Sequence, residues 1–144
     1  MNENRLVTRL AGAGHALLGA GFGIGALWAT VHLRRTGELP MTPWGFRALS
    51  GPFERFGSDA FSALGVGLVV SSLLNIVAGA WIWRGDRRGL RLSLATFVPT
   101  MALALGFALP FLLIGLPMSL VLAVVGRRTL HTSDIRSSRG KTGR

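Results

Sequence analysis

Long stretches without a charged side chain alternate along this chain with short segments rich in arginine. The first stretch covers 10–33, with Arg5 and Arg9 before it and Arg34 and Arg35 after it. At 1.5 Å per residue its ~24 residues reach about 36 Å as a helix, more than the ~30 Å of a bilayer's hydrocarbon core. A cleaved signal peptide shares the basic start and the apolar run. This run exceeds the ~7–15-residue core of such a peptide and no small-x-small site follows it, which favours an uncleaved anchor. The second stretch, 60–83, is also free of charge. Ser58 or Asp59 is placed to cap its start, and Trp81 and Trp83 mark its far end, where indoles favour a membrane interface.

The third stretch runs from Leu92 to Val125 without a charge. As one helix its roughly 34 residues would measure about 51 Å, too long for one crossing at ordinary tilt. Gly106, Pro110, Gly115 and Pro117 gather near its middle, so a hairpin near Ala108–Phe111 is expected to divide it into spans at 92–108 and 111–126. Pro99 and Pro117 fall inside these helices and are expected to kink them.

Charge distribution tests the count of four. With four spans, the N-terminus, the connection after the second span and the C-terminus share one side, and that side carries 12 of the 16 basic residues. A three-span reading would place the basic C-terminal residues Arg127, Arg128, Arg136, Arg139, Lys141 and Arg144 outside. The positive-inside rule therefore favours four spans with both termini cytoplasmic. The expected fold is all-α: a four-transmembrane-helix bundle over 1–130, then a disordered basic tail over 131–144. The tail's Ser, Thr, Gly and Arg content gives it nothing to bury, and its charges favour anionic lipid headgroups at the cytoplasmic face.

The external loop, about Arg34 to Asp59, holds Trp44, Phe46, Phe53 and Phe56. Aromatic side chains are costly to leave in water, so a short amphipathic segment in this loop is expected either to lie in the interface or to cap the bundle as a lid. The interfacial set comprises Trp28, Trp44, Phe53, Phe56, Trp81 and Trp83.

Composition removes several alternatives. A net charge of +10 brings nucleic acid to mind, but the charges sit at the ends of apolar segments and not along one face of a domain. A mean hydropathy of +0.46 in so basic a chain fits apolar spans separated by charged loops. There is no cysteine, which excludes disulfides and thiolate sites. Arginine strongly outnumbers lysine, and tyrosine and glutamine are absent, a skew associated with GC-rich bacterial genomes; the bacterial inner membrane is the expected location.

Polar groups inside spans are the natural place to look for function. Counting inward from the cytoplasmic arginines, His15 lies roughly 9 Å above Arg9, Asn75 and Thr100 roughly 13 Å above Arg84 and Arg91, Thr96 roughly 7 Å and Ser119 roughly 12 Å. His15, Asn75, Thr96, Thr100 and Ser119 are therefore expected to converge in the cytoplasmic half, where they would line a ligand pocket. Ser93 shares the helical spacing of Thr96 and Thr100. The competing reading makes these residues structural: hydroxyls bonded back to their own helices, Asn75 an interhelical clasp and His15 a packing histidine. Helix packing is expected through Gly67, Ser71 and Gly79 of the second span and Gly21 and Gly25 of the first, which also carries Gly12, Ala16 and Ala20 on one stripe and Gly19 with Gly23.

No Asp, Glu, Lys or Arg lies within any span, which argues against a proton-coupled exporter of the small four-helix kind. No bis-histidine pair for haem, metal-ligand cluster, Ser–His–Asp grouping or phosphate loop is present. The glycines of Gly19-Ala20-Gly21-Phe22-Gly23-Ile24-Gly25 mimic a dinucleotide fingerprint, but inside a span and after no strand. No catalytic residue, metal site or cofactor is expected, and the chain reads as a non-enzyme.

The Gly-rich first span, the loop ending Phe53-Glu54-Arg55-Phe56-Gly57, the second span closing on Ala78-Gly79 and the basic turn Arg84-Gly85-Asp86-Arg87-Arg88-Gly89 occur in an order that resembles small bacterial inner-membrane proteins of the DoxX-like kind. The resemblance covers most of the chain at the level of topology and carries no functional residue with it. It implies an accessory role beside quinone-linked oxidoreductase complexes. The functional expectation is an accessory, assembly or scaffold subunit that binds another membrane protein or a second copy of itself. The alternative is binding or transport of a small hydrophobic ligand, a quinone or a lipid, in the cytoplasm-side pocket.

Overall fold

The computed structural model describes residues 3–43 and 45–139, with side chains over 6–43 and 45–125. Trp44 and residues 140–144 of the expected tail lie outside the described residues. Four long helices follow in chain order: α1 (Glu3–Thr36), α2 (Ser58–Trp83), α3 (Arg87–Gly106) and α4 (Pro110–Arg139), with a 3-10 turn at Pro52–Phe56 between the first two. Leu6–Thr36, Ser58–Trp83 and Arg87–Gly106 are long and apolar enough to cross a membrane, and the apolar part of α4, Pro110–Val125, is shorter. Pro99 and Pro117 both lie within helices. α4 runs past the expected span end at 126 and through residues read as tail, to Arg139.

The turns between helices are local and specific. Gly37, at φ 76°, donates its N–H to Leu33 O and closes α1 in a left-handed cap. At the end of α2, Gly85 donates to Ile82 O and Asp86 to Trp81 O, the paired bonds of a Schellman motif with Gly85 at φ 78°. Asp86 then turns its carboxylate to the N–H of Arg88 at 2.9 Å and starts α3. The α3–α4 turn uses the same device. Ala108 donates to Leu105 O and Leu109 to Ala104 O, but the left-handed position, at φ 48°, holds an alanine. The hairpin expected near Ala108–Phe111 is this turn, and Pro110 begins α4 where a proline costs no helical hydrogen bond. At the start of α2, Gly57 occupies the cap position without a side-chain bond, so neither Ser58 nor Asp59 acts as the expected cap.

α1 packs on α2 and α4, and α3 packs on α2 and α4, so the helices go round the bundle in chain order. The tightest approach is between α1 and α2. A Cβ added to Gly12 would sit 2.7 Å from Gly79 O and Trp83 N, and one added to Gly79 would sit 2.6 Å from Gly12 O. Further along, Gly19 and Gly23 rest on Ser72, and Gly65 receives the Thr30 hydroxyl where its own Cβ would be. The seam thus joins Gly12, Gly19, Gly23 and Thr30 of α1 to Gly79, Ser72 and Gly65 of α2. Backbones this close gain dispersion along their whole length, the main attraction available to helices in lipid. Of the glycines expected to pack, Gly79 lies in this seam. Gly21 and Gly25 do not pack within the bundle: a Cβ on either would meet nothing within 4 Å. Gly67 is half-buried with only Leu103 near, and Ser71 is buried.

The interior is layered. One end holds Ala26, Leu33, Phe61, Leu68, Ala104, Phe107 and Leu112, the other holds Ala11, Ile82 and Ala123, and most of the buried polar groups lie between, with Thr30 and Ser62 at the first end and Thr8 at the second. The apolar end is closed by the loop. Phe107 is fully buried and takes Phe53 and Phe61 edge-on, each at 5.1 Å, pairs worth about 0.5–1.5 kcal/mol apiece. The Phe53 ring occupies the space a side chain at Gly106 would fill. Of the residues assigned to the interface, Phe53 therefore turns into the bundle. Phe56, Trp28 and Trp83 remain exposed, and Trp81 is half-buried. Arg9 lies 5.8 Å over the Trp83 ring, a cation–π contact that ties α1 to the end of α2.

The outward faces of the helices are strongly apolar, and much of the interior is polar. Phe111 is 79% exposed, Leu17 and Val98 72% and Ile24 71%, while His15, Asn75, Ser71, Ser72, Ser93, Thr96, Thr100 and Ser119 are buried. Water would penalise this arrangement and lipid favours it.

Three substitutions test the packing. Gly79→Leu is expected to destabilise the purified protein by about 3 kcal/mol through collision with the α1 backbone, whereas Gly21→Leu stays within about 0.5 kcal/mol of the parent; unfolding in mixed mild and denaturing detergent separates them. Ala108→Gly relieves a left-handed alanine and is expected to raise stability by about 0.5–1 kcal/mol in the same assay.

Candidate functional site

Small residues on α1 and α2 let the polar positions meet. His15 lies beside Gly79, whose added Cβ would come 3.1 Å from the His15 Cβ, and the absence of a side chain there leaves room for the imidazole. His15 is fully buried. Its Nδ1 is 3.2 Å from Ala11 O, and a carbonyl only accepts, so Nδ1 carries the proton. In the neutral ring Nε2 is then an acceptor, and Ser93 donates its hydroxyl to it at 2.6 Å. This bond joins α1 to α3 across the bundle, between helices that are not neighbours around its rim.

A second layer lies further from the α2–α3 turn. Asn75, one helical turn from Gly79 on the same face, donates Nδ2 to Ser71 O at 2.9 Å and, at a weak 3.5 Å, to Thr100 Oγ1. Its Oδ1 is buried without a partner, as is the Thr30 hydroxyl on Gly65. Thr96 donates to Leu92 O at 2.9 Å and Ser119 to Leu116 O at 3.0 Å, each within its own helix. Ser119 also packs on α1, with its Cβ 3.4 Å from where a Cβ at Gly14 would stand.

Of the five residues expected to converge, all are buried, and the bonding divides them. His15 pairs with Ser93, Asn75 reaches Thr100, and Thr96 and Ser119 return to their own helices. Ser93, the direct partner of His15, is the functional position that reading by depth does not select. Its helical spacing with Thr96 and Thr100 was the available signal. Depth counting obscured it, because Ser93 stands only about 3 Å above Arg91 while His15 stands about 9 Å above Arg9. The two arginines are not level: α1 begins well before Arg9 and carries it over Trp83.

Chemically, the layer offers hydrogen bonds and one unused acceptor. Among the described residues there is no group of three or more His, Asp or Glu able to hold a metal ion. No family model, curated protein or solved structure matches the chain.

If the His15–Ser93 bond is a clasp, the two positions must be coupled. A double-mutant cycle of His15→Phe and Ser93→Ala is expected to return about 0.6–1.7 kcal/mol of coupling in unfolding free energy, the range of interhelical side-chain bonds in membranes. A coupling near zero would separate them.

Proposed function

We propose that this chain is a non-enzymatic accessory or assembly subunit, held in a bacterial inner membrane by four helices with both termini cytoplasmic. One observation carries the accessory role. α1 bears two small-residue faces; α2 consumes Gly12, Gly19 and Gly23, and Gly21 and Gly25 stand bare on the outward side. A small-xxx-small stripe with nothing on it is the surface another membrane helix needs for close approach. The internal polar groups support the same reading, since His15 spends its ring nitrogens on Ala11 and Ser93, and Thr96 and Ser119 spend their hydroxyls on their own helices, which leaves few groups for a ligand.

The fourth crossing is supported by burial and by charge. Leu112, Leu116 and Ala123 of α4 are buried with the residues of the other helices, and the positive-inside rule favours a cytoplasmic C-terminus. A role beside a quinone-linked oxidoreductase complex, which the DoxX-like resemblance implies, belongs to this proposal. So do the attraction of the basic C-terminal residues to anionic headgroups and the assignment of the outer loop's aromatics to the interface. A second reading, a pocket for a quinone or lipid, draws on the unpartnered Asn75 Oδ1, which would accept from a ligand hydroxyl.

Native mass spectrometry from mild detergent decides between the two readings. A stoichiometric protein partner or homo-oligomer, lost in the Gly21→Leu/Gly25→Leu variant, is the expected result. A monomer carrying a small molecule that Asn75→Leu removes would replace the accessory role with the pocket. Topology is tested separately, and the absence of native cysteine makes it clean. Single cysteines at Glu38, Arg87 and Ser137 are expected to react with an impermeant maleimide in intact cells only at Glu38. Reaction at Ser137 would reduce the spans to three.

A further inference from the structure

At the end of the bundle opposite the α2–α3 turn, the outer loop encloses a half-open cavity of about 390 Å³ between the last turn of α1 and the first turn of α2. This is within the ~300–1,000 Å³ usual for small-ligand sites. Its lining is divided by chemistry. Leu33, Leu39 and Phe61 form an apolar wall, Glu38 and Glu54 supply carboxylates, and Arg47 supplies a guanidinium. Glu54 is partly committed, since its Oε1 accepts the N–H of Gly51 at 3.1 Å; Glu38 is the carboxylate left for a guest.

We propose that this cavity binds the zwitterionic headgroup of a phospholipid carrying a primary ammonium, the phosphate at Arg47 and the ammonium at Glu38. Both charges of such a group find a partner of opposite sign, and the apolar wall meets the start of its chains. A simple anion would meet two carboxylates against one guanidinium, and a simple cation would leave Arg47 opposed. The helix termini favour the same polarity, because α1 ends here with carbonyls and α2 begins here without a side-chain cap.

The level of the cavity favours a lipid over a soluble zwitterion. Met41, which lines it, and Phe46 and Phe56 of the same loop are exposed by 62%, 72% and 64%, which water penalises and a headgroup region accommodates. The proposal rests on the bilayer setting given above and is independent of the accessory role.

The test uses the full-length protein, delipidated in mild detergent and titrated with lipids of identical chains while native mass spectrometry reads the bound fraction. Phosphatidylethanolamine is expected to bind about tenfold more tightly than phosphatidylcholine, whose methylated ammonium donates no N–H bond, and than phosphatidylglycerol, which has no ammonium. Tenfold is the scale of one charge-assisted hydrogen bond in a half-open site. Glu38→Gln and Arg47→Gln are each expected to remove that preference, and Arg55→Gln, a charge loss outside the cavity lining, to leave it intact. All three positions are exposed, and an unchanged elution volume confirms that each variant folds. Equal binding of the three lipids, or a preference untouched by Glu38→Gln, overturns the site. Free phosphoethanolamine binding as tightly as the intact lipid overturns the lipid as its source. A chain that stays in solution without detergent overturns the bilayer premise, and a missing protein partner bears only on the accessory role.

Discussion

Gly12 and Gly79 bring α1 and α2 so close that a Cβ on either would stand within 2.7 Å of the other's backbone, and much of the bundle follows from that approach. It leaves room beside Gly79 for an imidazole. It aligns the two helices antiparallel, so that Gly65 meets Thr30 at the far end. α3 then comes in beside α2 through a turn too short to allow another partner, with Gly89 against the α2 backbone at Ala78 and Ile82. Once α3 is placed, Ser93 faces His15, and the polar layer is a consequence of the seam. In lipid such contact matters more than apolar area, because the solvent is as apolar as the side chains and only close packing and internal hydrogen bonds distinguish the associated state.

The distribution of polarity has the same origin. Small and polar side chains fill the centre, where close backbones leave little volume and each polar group can find a partner. Many bulky apolar side chains are left outside, as Leu17, Ile24, Val98 and Phe111 show, while Phe61, Leu68, Ile82, Phe107 and Leu116 fill the interior on either side. Among the described residues, the exceptions to internal satisfaction are the Thr30 hydroxyl and Asn75 Oδ1, the latter in a layer whose interhelical bond is long. The bundle is closed differently at its two ends. At one end a Schellman turn and an aspartate cap join α2 to α3; at the other Phe53 comes in from the loop to meet Phe107. The second closure leaves the cavity bounded by Glu38 and Arg47 beside it.

The long helices, their order and their turns were legible in the sequence. A run without charge longer than a bilayer is thick leaves few alternatives to a helix, and Gly85-Asp86 has one obvious use between two such runs. The proline and glycine cluster divided the third stretch within a residue or two of the turn at Ala108. The sequence also pointed to several of the buried polar side chains, because a polar residue deep in an apolar run seeks the protein interior in lipid, although it did not single out Thr8, Thr30, Ser62 or Ser72, which are buried as well. His15, Asn75, Thr96, Thr100 and Ser119 are all buried.

Tertiary structure decided which faces meet. Gly19 with Gly23 and Gly21 with Gly25 have the same spacing, and the two pairs stand about 200° apart around α1. Periodicity identifies both stripes and contains nothing to say which one α2 takes. The same holds for Phe53 and Phe56: both are aromatic residues in a loop, and only the gap above Gly106 selects the first for the interior. Ser93 became the partner of His15 because α1 and α3 are offset along the bundle axis, an offset that arises from packing and that residue counting cannot supply. The sequence by itself determined the elements and which residues are uncomfortable in lipid. The fold determined which of those residues meet, because partner choice depends on the relative rotation and shift of helices, set by contacts between segments far apart in the chain.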